Sequence, residues 1–320
     1  MTAPVALVDV HAHFVTDGYV AAARSAGVEH PDGMPGWPTW SAEQHVDLMD
    51  RAGIETSYLS VSSPGVHFGD DGRARALARE VNGFAAAVRA EHPRRFGHFA
   101  NLPLPDVEGA LVETAYALDE LGAHGVAVET NHHGHYLGDP RFEPLWAELD
   151  RRGAVVFVHP TSPPHADDLT AGRPRPMLEF LFDTARAAAD LLFRGVVTRY
   201  PRIRWILTHG GGALPLLADR MELFRALVGG GPADAPGVVE QLGGLWYDMA
   251  GTPFPRQVPA LSAAFGTDRL LYGSDYCWTP AVAVLAQTAS VDAAEQPSAT
   301  DTWRGLTTRN ARRLFTADPA

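Results

Sequence analysis

The chain has no lysine: all 26 of its basic residues are arginine. A Schiff-base nucleophile, a phosphate-loop lysine and a carbamylated lysine bridging two metal ions are therefore all excluded, since each needs an ε-amino group. Against the arginines stand 38 acidic residues, giving a formal charge of −12. That balance argues against a nucleic-acid partner, because phosphate binding needs clustered cations. Cys277 is the only cysteine, so no intrachain disulfide can form, in keeping with a reducing, cytoplasmic setting. No apolar run approaches the ~20 residues of a membrane helix. The opening MTAPVALVDV lacks the basic stretch and long apolar core of a signal peptide. What is present is 320 residues, 46% hydrophobic and 20% charged, ample for a large buried core.

Short β-rich runs alternate with longer amphipathic stretches. The runs are 6–11 (ALVDVH), 56–62 (TSYLSVS), 96–102 (FGHFANL), 125–130 (GVAVET), 154–159 (AVVFVH), 203–209 (IRWILTH), 245–250 (LWYDMA) and 270–275 (LLYGSD). Helical patterning covers 74–91, 107–121, 142–152 and 176–200. Such alternation predicts parallel βαβ units. The first strand ends in His-Ala-His rather than in the glycine-rich turn of a doubly wound sheet. Eight units therefore predict a (β/α)8 TIM barrel over residues 1–320 as a single domain. Residues 27–38, rich in Gly and Pro, read as a loop inserted over the barrel mouth, 229–237 as a flexible connection, and the stretch past 315 as a frayed tail.

The chemistry concentrates at strand ends. Alternate strand residues share a face, so His11 and His13 project two imidazoles together. His159 closes the fifth strand, His209 the sixth and Asp275 the eighth. One such histidine is commonly a satisfied polar cap. Four of them with an aspartate, converging on the mouth where barrel active sites lie, predict a divalent metal site.

VDVHAHF (8–14), FVHP (157–160), THGGGALP (208–215) and YGSDY (272–276) resemble the amidohydrolase superfamily. With RFGHFANLPLPD (95–106) and RYPRIRWILTHGGG (199–212), the chain is similar to the branch named for aminocarboxymuconate semialdehyde decarboxylase. Its pattern lies nearest the 6-methylsalicylate and γ-resorcylate decarboxylases of that branch. The resemblance implies one metal held by His11, His13, His159 and Asp275, with His209 off the metal and hydrogen-bonding a water or the substrate. The fourth strand ends Glu129-Thr130 with no lysine to bridge a second ion, which agrees. Three imidazoles and a carboxylate suit Zn²⁺, with Mn²⁺ as the alternative.

The resemblance also places Arg220, eleven residues after His209, at a position whose guanidinium reaches the neighbouring subunit's site and binds substrate carboxylate. A homodimer or higher homo-oligomer follows, although an exposed helix arginine is the plain alternative. The branch's founding enzyme carries a second substrate-binding arginine before the segment that Trp40 matches. Met34 stands near that place here, which points away from the muconate semialdehyde.

Trp37, Trp40, Phe68, Tyr136 and Trp278 fall on candidate mouth loops, where they either sandwich an aromatic ring or pack the loops themselves. His132, His133 and His135 form either a metal-like cluster or a substrate-facing loop, and Ser274 reads as structural. The expected reaction is non-oxidative decarboxylation of a small aromatic, hydroxybenzoate-like or enol carboxylic acid, with Asp275 or His209 supplying the proton. Hydrolysis of an amide, lactone or ester would use the same mononuclear site.

Overall fold

The computed structural model describes residues 5–316. Strand β1 (Leu7–His13) pairs in parallel with β2 (Ile54–Ser60), and β2 with β3. β3 is split at Phe99 into Phe96–His98 and Ala100–Asn101, and its second half carries the ladder on to β4 (Val126–Glu129). The ladder continues through β5 (Val155–His159), β6 (Arg204–Leu207) and β7 (Trp246–Asp248) to β8 (Leu270–Leu271). The split in β3 is spanned by Phe99 N donating to Leu59 O and Ala100 N to Gly125 O, each at 2.9 Å. Isolated parallel bridges, Asp9 with Tyr272 and Ala12 with Tyr276, bring the segment after β8 back to β1. Eight short parallel strands thus ring a common axis, as the alternation predicts.

Helices α1 (Asp17–Ser25) and α2 (Ala42–Ala52) fill the first crossover. Then come α3 (Asp71–Glu91), α4 (Val107–Asp119), α5 (Glu143–Arg152), α6 (Glu179–Phe193), α7 (Leu214–Val228), α8 (Val258–Phe265), α9 (Ala281–Ala293) and α10 (Trp303–Thr316). Ser41, Asp70 and Asp106 cap α2, α3 and α4 by accepting the amides of Gln44, Arg73 and Gly109, which satisfies donors that a helix start leaves open. The single helix expected over 176–200 is divided. α6 stops at Phe193, Gly195 turns into the left-handed region, and a short second helix, Val196–Arg199, follows. α10 continues to Thr316, and the rest of the expected tail lies outside the described residues.

Side chains alternate between two apolar layers. Val155 and Phe157 point into the barrel with Phe99, Ile206, Trp246 and Leu271, while Val156 and Val158 face the helices. Ala311, Leu314 and Phe315 of α10 close the end of the barrel opposite the mouth, Phe315 stacking 4.0 Å from Tyr58. Truncating a fully buried Phe157 to alanine would cost about 3–5 kcal/mol.

β1 departs from simple alternation. Its register against β2 shifts between Asp9 and Ala12. Val8 and Val10 belong to the inner layer, yet Leu7 and Ala12 belong to the outer one. A bulge of this kind places consecutive residues on one side, and it turns His11 and His13 inward behind Val10.

Candidate metal centre and its cavity

His11 and His13 on β1, His159 at the end of β5 and Asp275 beyond β8 bring one ligand atom each to within 4.8 Å of one another. Nε2 of His11 lies 2.9 Å from Nε2 of His13, and Asp275 Oδ1 lies 3.4 and 3.3 Å from those two nitrogens. Ligands at ~2.0–2.1 Å from a tetrahedral centre stand roughly 3.3 Å apart, so the donor set fits one ion.

Each imidazole is oriented by its other nitrogen. His11 Nδ1 donates to Asp248 Oδ2 at 2.9 Å, His13 Nδ1 to Ser60 O at 3.3 Å and His159 Nδ1 to Pro160 O at 2.7 Å. Acceptors at all three Nδ1 positions leave the Nε2 lone pairs facing inward, as metal-binding histidines require. Burial holds His13 below the usual imidazole range and His159 well below it, so both are neutral and ready to ligate. For His11, burial is outweighed by the charge and hydrogen bond of Asp248, which lift it to about 10. A metal ion must displace that proton. Burial would raise Asp275, but the imidazoles of His11, His13 and His209 gathered around it hold it well below the carboxylate range.

Two local features build this cluster. Strand β6 ends at Leu207, short of the expected 209, because His209 adopts φ 52° and the three glycines after it φ 65°, 69° and 60°. Residues with a Cβ rarely enter that region, which is the reason for the HGGG run. The turn points His209 at Asp275, with Nε2 3.6 Å from Oδ2 and Nδ1 buried without a partner. His209 is not in the four-residue ligand group. Likewise β8 ends at Leu271, and Asp275 sits at φ 59°, with Thr279 Oγ1 donating to its Oδ2 at 3.2 Å. Gly273 lets this segment press on β1, since a Cβ there would stand 2.7 Å from that of His11.

A cavity of about 350 Å³ opens above the cluster, walled by Met34, Phe180, Leu181 and Trp278. The 27–38 loop covers it, contributing Asp32 and Met34. Its size and apolar walls suit a small aromatic acid.

Three of the aromatic candidates stand away from this cavity. Trp40 does not line this cavity. Its Nε1 donates to His45 at 3.0 Å, and its ring packs among Phe14, Phe84 and Phe96 in the core. Phe68 lines a neighbouring cavity of about 490 Å³ with His67, His132 and His133. Tyr136 lies on a short hairpin, its hydroxyl donating to Asp183. Each ring was drawn to its own apolar neighbours rather than to the metal. Trp278 does reach the cavity, 5.7 Å from the Trp37 ring. His133 meets His67 at 3.0 Å, outside the metal group. Arg220 is exposed on α7, with its guanidinium over the Phe224 ring at 4.8 Å. Ser274 is buried and structural, its amide donating to Asp9 Oδ1 at 2.9 Å.

Sequence reasoning missed Asp248. Its side chain is buried at the end of β7, accepting from His11 and, through Oδ1, from the amides of His209 and Ala250 at 2.9 Å. The signal was available in LWYDMA, where Asp248 shares the inward face of Trp246 two residues before it.

A family model described as amidohydrolase matches residues 8–316. The 6-methylsalicylic acid decarboxylase of Penicillium expansum is 37% identical, covering 97% of this chain and 96% of that protein. A solved amidohydrolase II superposes with a TM-score of 0.89 at 31% identity, over 98% of this chain and 100% of that one. A dihydroxybenzoic acid decarboxylase from Polaromonas sp. JS666, solved with manganese and the inhibitor 2-nitroresorcinol, superposes with a TM-score of 0.81 at 24% identity. The match spans 98% of this chain and 97% of that one, and the likeness there is one of fold.

Proposed function

The chain belongs to the amidohydrolase family, and on that premise we propose that it is a metal-dependent, non-oxidative decarboxylase of a small aromatic, hydroxybenzoate-like carboxylic acid. The observation that carries this reading over hydrolysis is the 37% identity to a 6-methylsalicylic acid decarboxylase along 97% of this chain, and the donor set of His11, His13, His159 and Asp275 at the floor of an apolar cavity of aromatic size supplies the site. A divalent ion held there would supply a Lewis acid toward the substrate carboxylate and a neighbouring phenolic oxygen. We assign Zn²⁺ from the three nitrogens and one oxygen, with the manganese of the Polaromonas protein as the alternative.

The chain's own groups do the rest. The walls of Met34, Phe180, Leu181 and Trp278 exclude water from the ring. His209 Nε2 stands 3.6 Å from Asp275 Oδ2, so the two groups share the space where a proton must be delivered. As the bond between ring carbon and carboxylate breaks, its electron pair stays on the ring carbon. That carbon takes a proton from His209, or from Asp275 once His209 or a water has protonated it, and CO2 departs.

Assembly and setting complete the proposal. The protein is a homodimer or higher homo-oligomer in which Arg220 reaches the partner's mouth and binds substrate carboxylate. The exposed apolar residues around it on α7 support an interface there. Residues 1–320 form one domain, and the single cysteine supports a cytoplasmic location.

The test is a panel of hydroxybenzoates assayed for CO2 release beside a panel of amides, lactones and esters, with metal content measured on the same preparation. CO2 from a hydroxybenzoate and about one ion per chain are expected. Robust hydrolysis without CO2 from any acid would replace the reading with a hydrolase.

A further inference from the structure

Apart from the metal cluster and His209, the only ionisable side chain lining the metal cavity among the described residues is Asp32. Nothing in the reaction just described uses it. It sits in the covering loop, in a single turn over Pro31–Gly33, and adopts φ 52°. A non-glycine residue held in the left-handed region at a cavity wall is a recurrent mark of function.

Hydrogen bonds anchor this carboxylate at the cavity wall, which its side chain lines. Ser162, on the loop after β5, donates its hydroxyl to Asp32 Oδ1 at 2.6 Å. The Ser63 hydroxyl and the Ser162 backbone amide bond the same carboxyl, and Ser63 Oγ also meets Thr161 Oγ1 at 2.7 Å. The nearest cationic influence, Arg175, is committed to Asp167. Among the described residues no ion pair reaches Asp32. Burial pushes its carboxyl above the usual range, against the pull of the two serine hydroxyls. A partly buried acceptor without a cation is costly unless a donor arrives with the ligand.

The remaining walls decide where that donor lies. Met34, Phe180, Leu181 and Trp278 offer apolar surface to the faces of a ring. Ser62 and Ser63 continue a polar edge from Asp32 toward His159, with Ser62 Oγ 3.4 Å from His159 Nε2. A bound ring therefore meets metal ligands at one edge and Asp32 at another. A substrate carboxylate would be repelled by Asp32, and a methyl group would leave its oxygen unpaired.

We propose that Asp32 is a specificity-determining residue whose carboxylate accepts a further hydrogen bond from a second hydroxyl on the substrate ring, selecting dihydroxylated benzoates over methylated or unsubstituted salicylates. This rests on the reading of the cavity as an aromatic-acid site. It also explains why an acidic residue occupies a loop whose neighbouring wall residue is the apolar Met34.

The test uses calorimetric binding to the metal-loaded protein, with CO2 release measured in parallel. The four dihydroxybenzoates that keep the 2-hydroxyl and add a second at position 3, 4, 5 or 6 are compared with salicylate and 6-methylsalicylate. At least one dihydroxybenzoate is expected to bind ~10-fold or more tightly than both comparison acids, since a site built to pair a substrate hydroxyl rejects analogues lacking it. In Asp32→Asn, which tolerates the left-handed backbone, and in Asp32→Ala the ratio should fall toward one. Equal affinities in the wild type, or a ratio unchanged in both variants, would overturn the proposal. So would an equal loss for every acid, which is what a mere loop anchor would give. A preserved ratio without CO2 release would defeat the decarboxylase reading and leave the assignment of Asp32 standing. No binding of any acid would defeat both.

Discussion

Asp248 and His11, both fully buried, are joined by a 2.9 Å hydrogen bond from His11 Nδ1 to Asp248 Oδ2. The bond ties the end of β7 to the bulged end of β1. It leaves His11 Nε2 facing His13 and Asp275, and the same carboxylate holds the amide of His209. One side chain thus orients a ligand and the nearest acid–base candidate. Asp248→Asn should weaken metal affinity by ~10–100-fold. Competition with a chelator of known affinity measures it, and an unchanged affinity would remove Asp248 from the centre.

His209 lies off the ligand group yet 3.6 Å from Asp275. Its replacement by asparagine should lower turnover by ~100- to 10,000-fold, the range general acid–base groups supply, while metal content stays intact. Elemental analysis beside the kinetics separates the two roles. A His209→Asn protein that loses its metal would make His209 a ligand.

The metal cluster was legible because strand ends of a barrel converge whatever the details of packing, and His11, His13, His159 and Asp275 each stand at one. Two things were not legible. The inward turn of His11 and His13 depends on a register shift between Asp9 and Ala12, which only pairing with β2 creates. The aromatic residues of the loops carry no direction in sequence. Trp40 and Trp278 look alike on paper, but Trp40 finds Phe14 and Phe84 in the core while Trp278 finds the cavity. Asp32 was hidden for the same reason, since its place depends on Ser162, 130 residues away.

Acid should destabilise the fold well above the carboxylate range. Burial depresses His45 and His98 to about 3 and His124 to about 4, against an ordinary 6.5. Both ring nitrogens of His98 are buried without partners, and His45 accepts from Trp40. The unfolded chain takes up these protons first. The stability is therefore present above pH 6.5 and is lost as pH falls toward 3. Each such histidine contributes a slope of up to ~1.4 kcal/mol per pH unit. Chemical denaturation from pH 7 to pH 4 should show the decline, and His98→Phe should make it shallower. An identical slope in that variant would exclude His98 as a source.

The face of α7 around Arg220 bears on assembly. Leu216 is 84% exposed, Leu227 66% and Val228 77%, with Leu223 and Phe224 also exposed. Apolar exposure concentrated on one helix marks a surface that another protein covers. The start of α7 abuts α6 through Ala213 N donating to Leu181 O at 3.2 Å. The exposed Met177, Leu178 and Phe182 lie beside Leu181, and Met177 also lines the metal cavity. A second copy seated here by a two-fold axis would bring each Arg220 to the other's mouth. A lost charge-assisted contact to carboxylate costs ~1.5–3 kcal/mol, or roughly 10- to 150-fold in affinity. Arg220→Ala should therefore raise KM without emptying the metal site, and Leu216→Glu with Leu227→Glu should yield monomers of low activity. The decisive experiment mixes Arg220→Ala subunits with His159→Ala subunits and assays them at substrate concentrations well below the KM of the Arg220→Ala protein, where each is nearly inactive alone. In a heterodimer one site joins an intact metal cluster to an intact Arg220 from across the interface, so partial activity should return. Verified heterodimers that stay dead, or a fully active monomer, would confine Arg220 to the surface of its own helix.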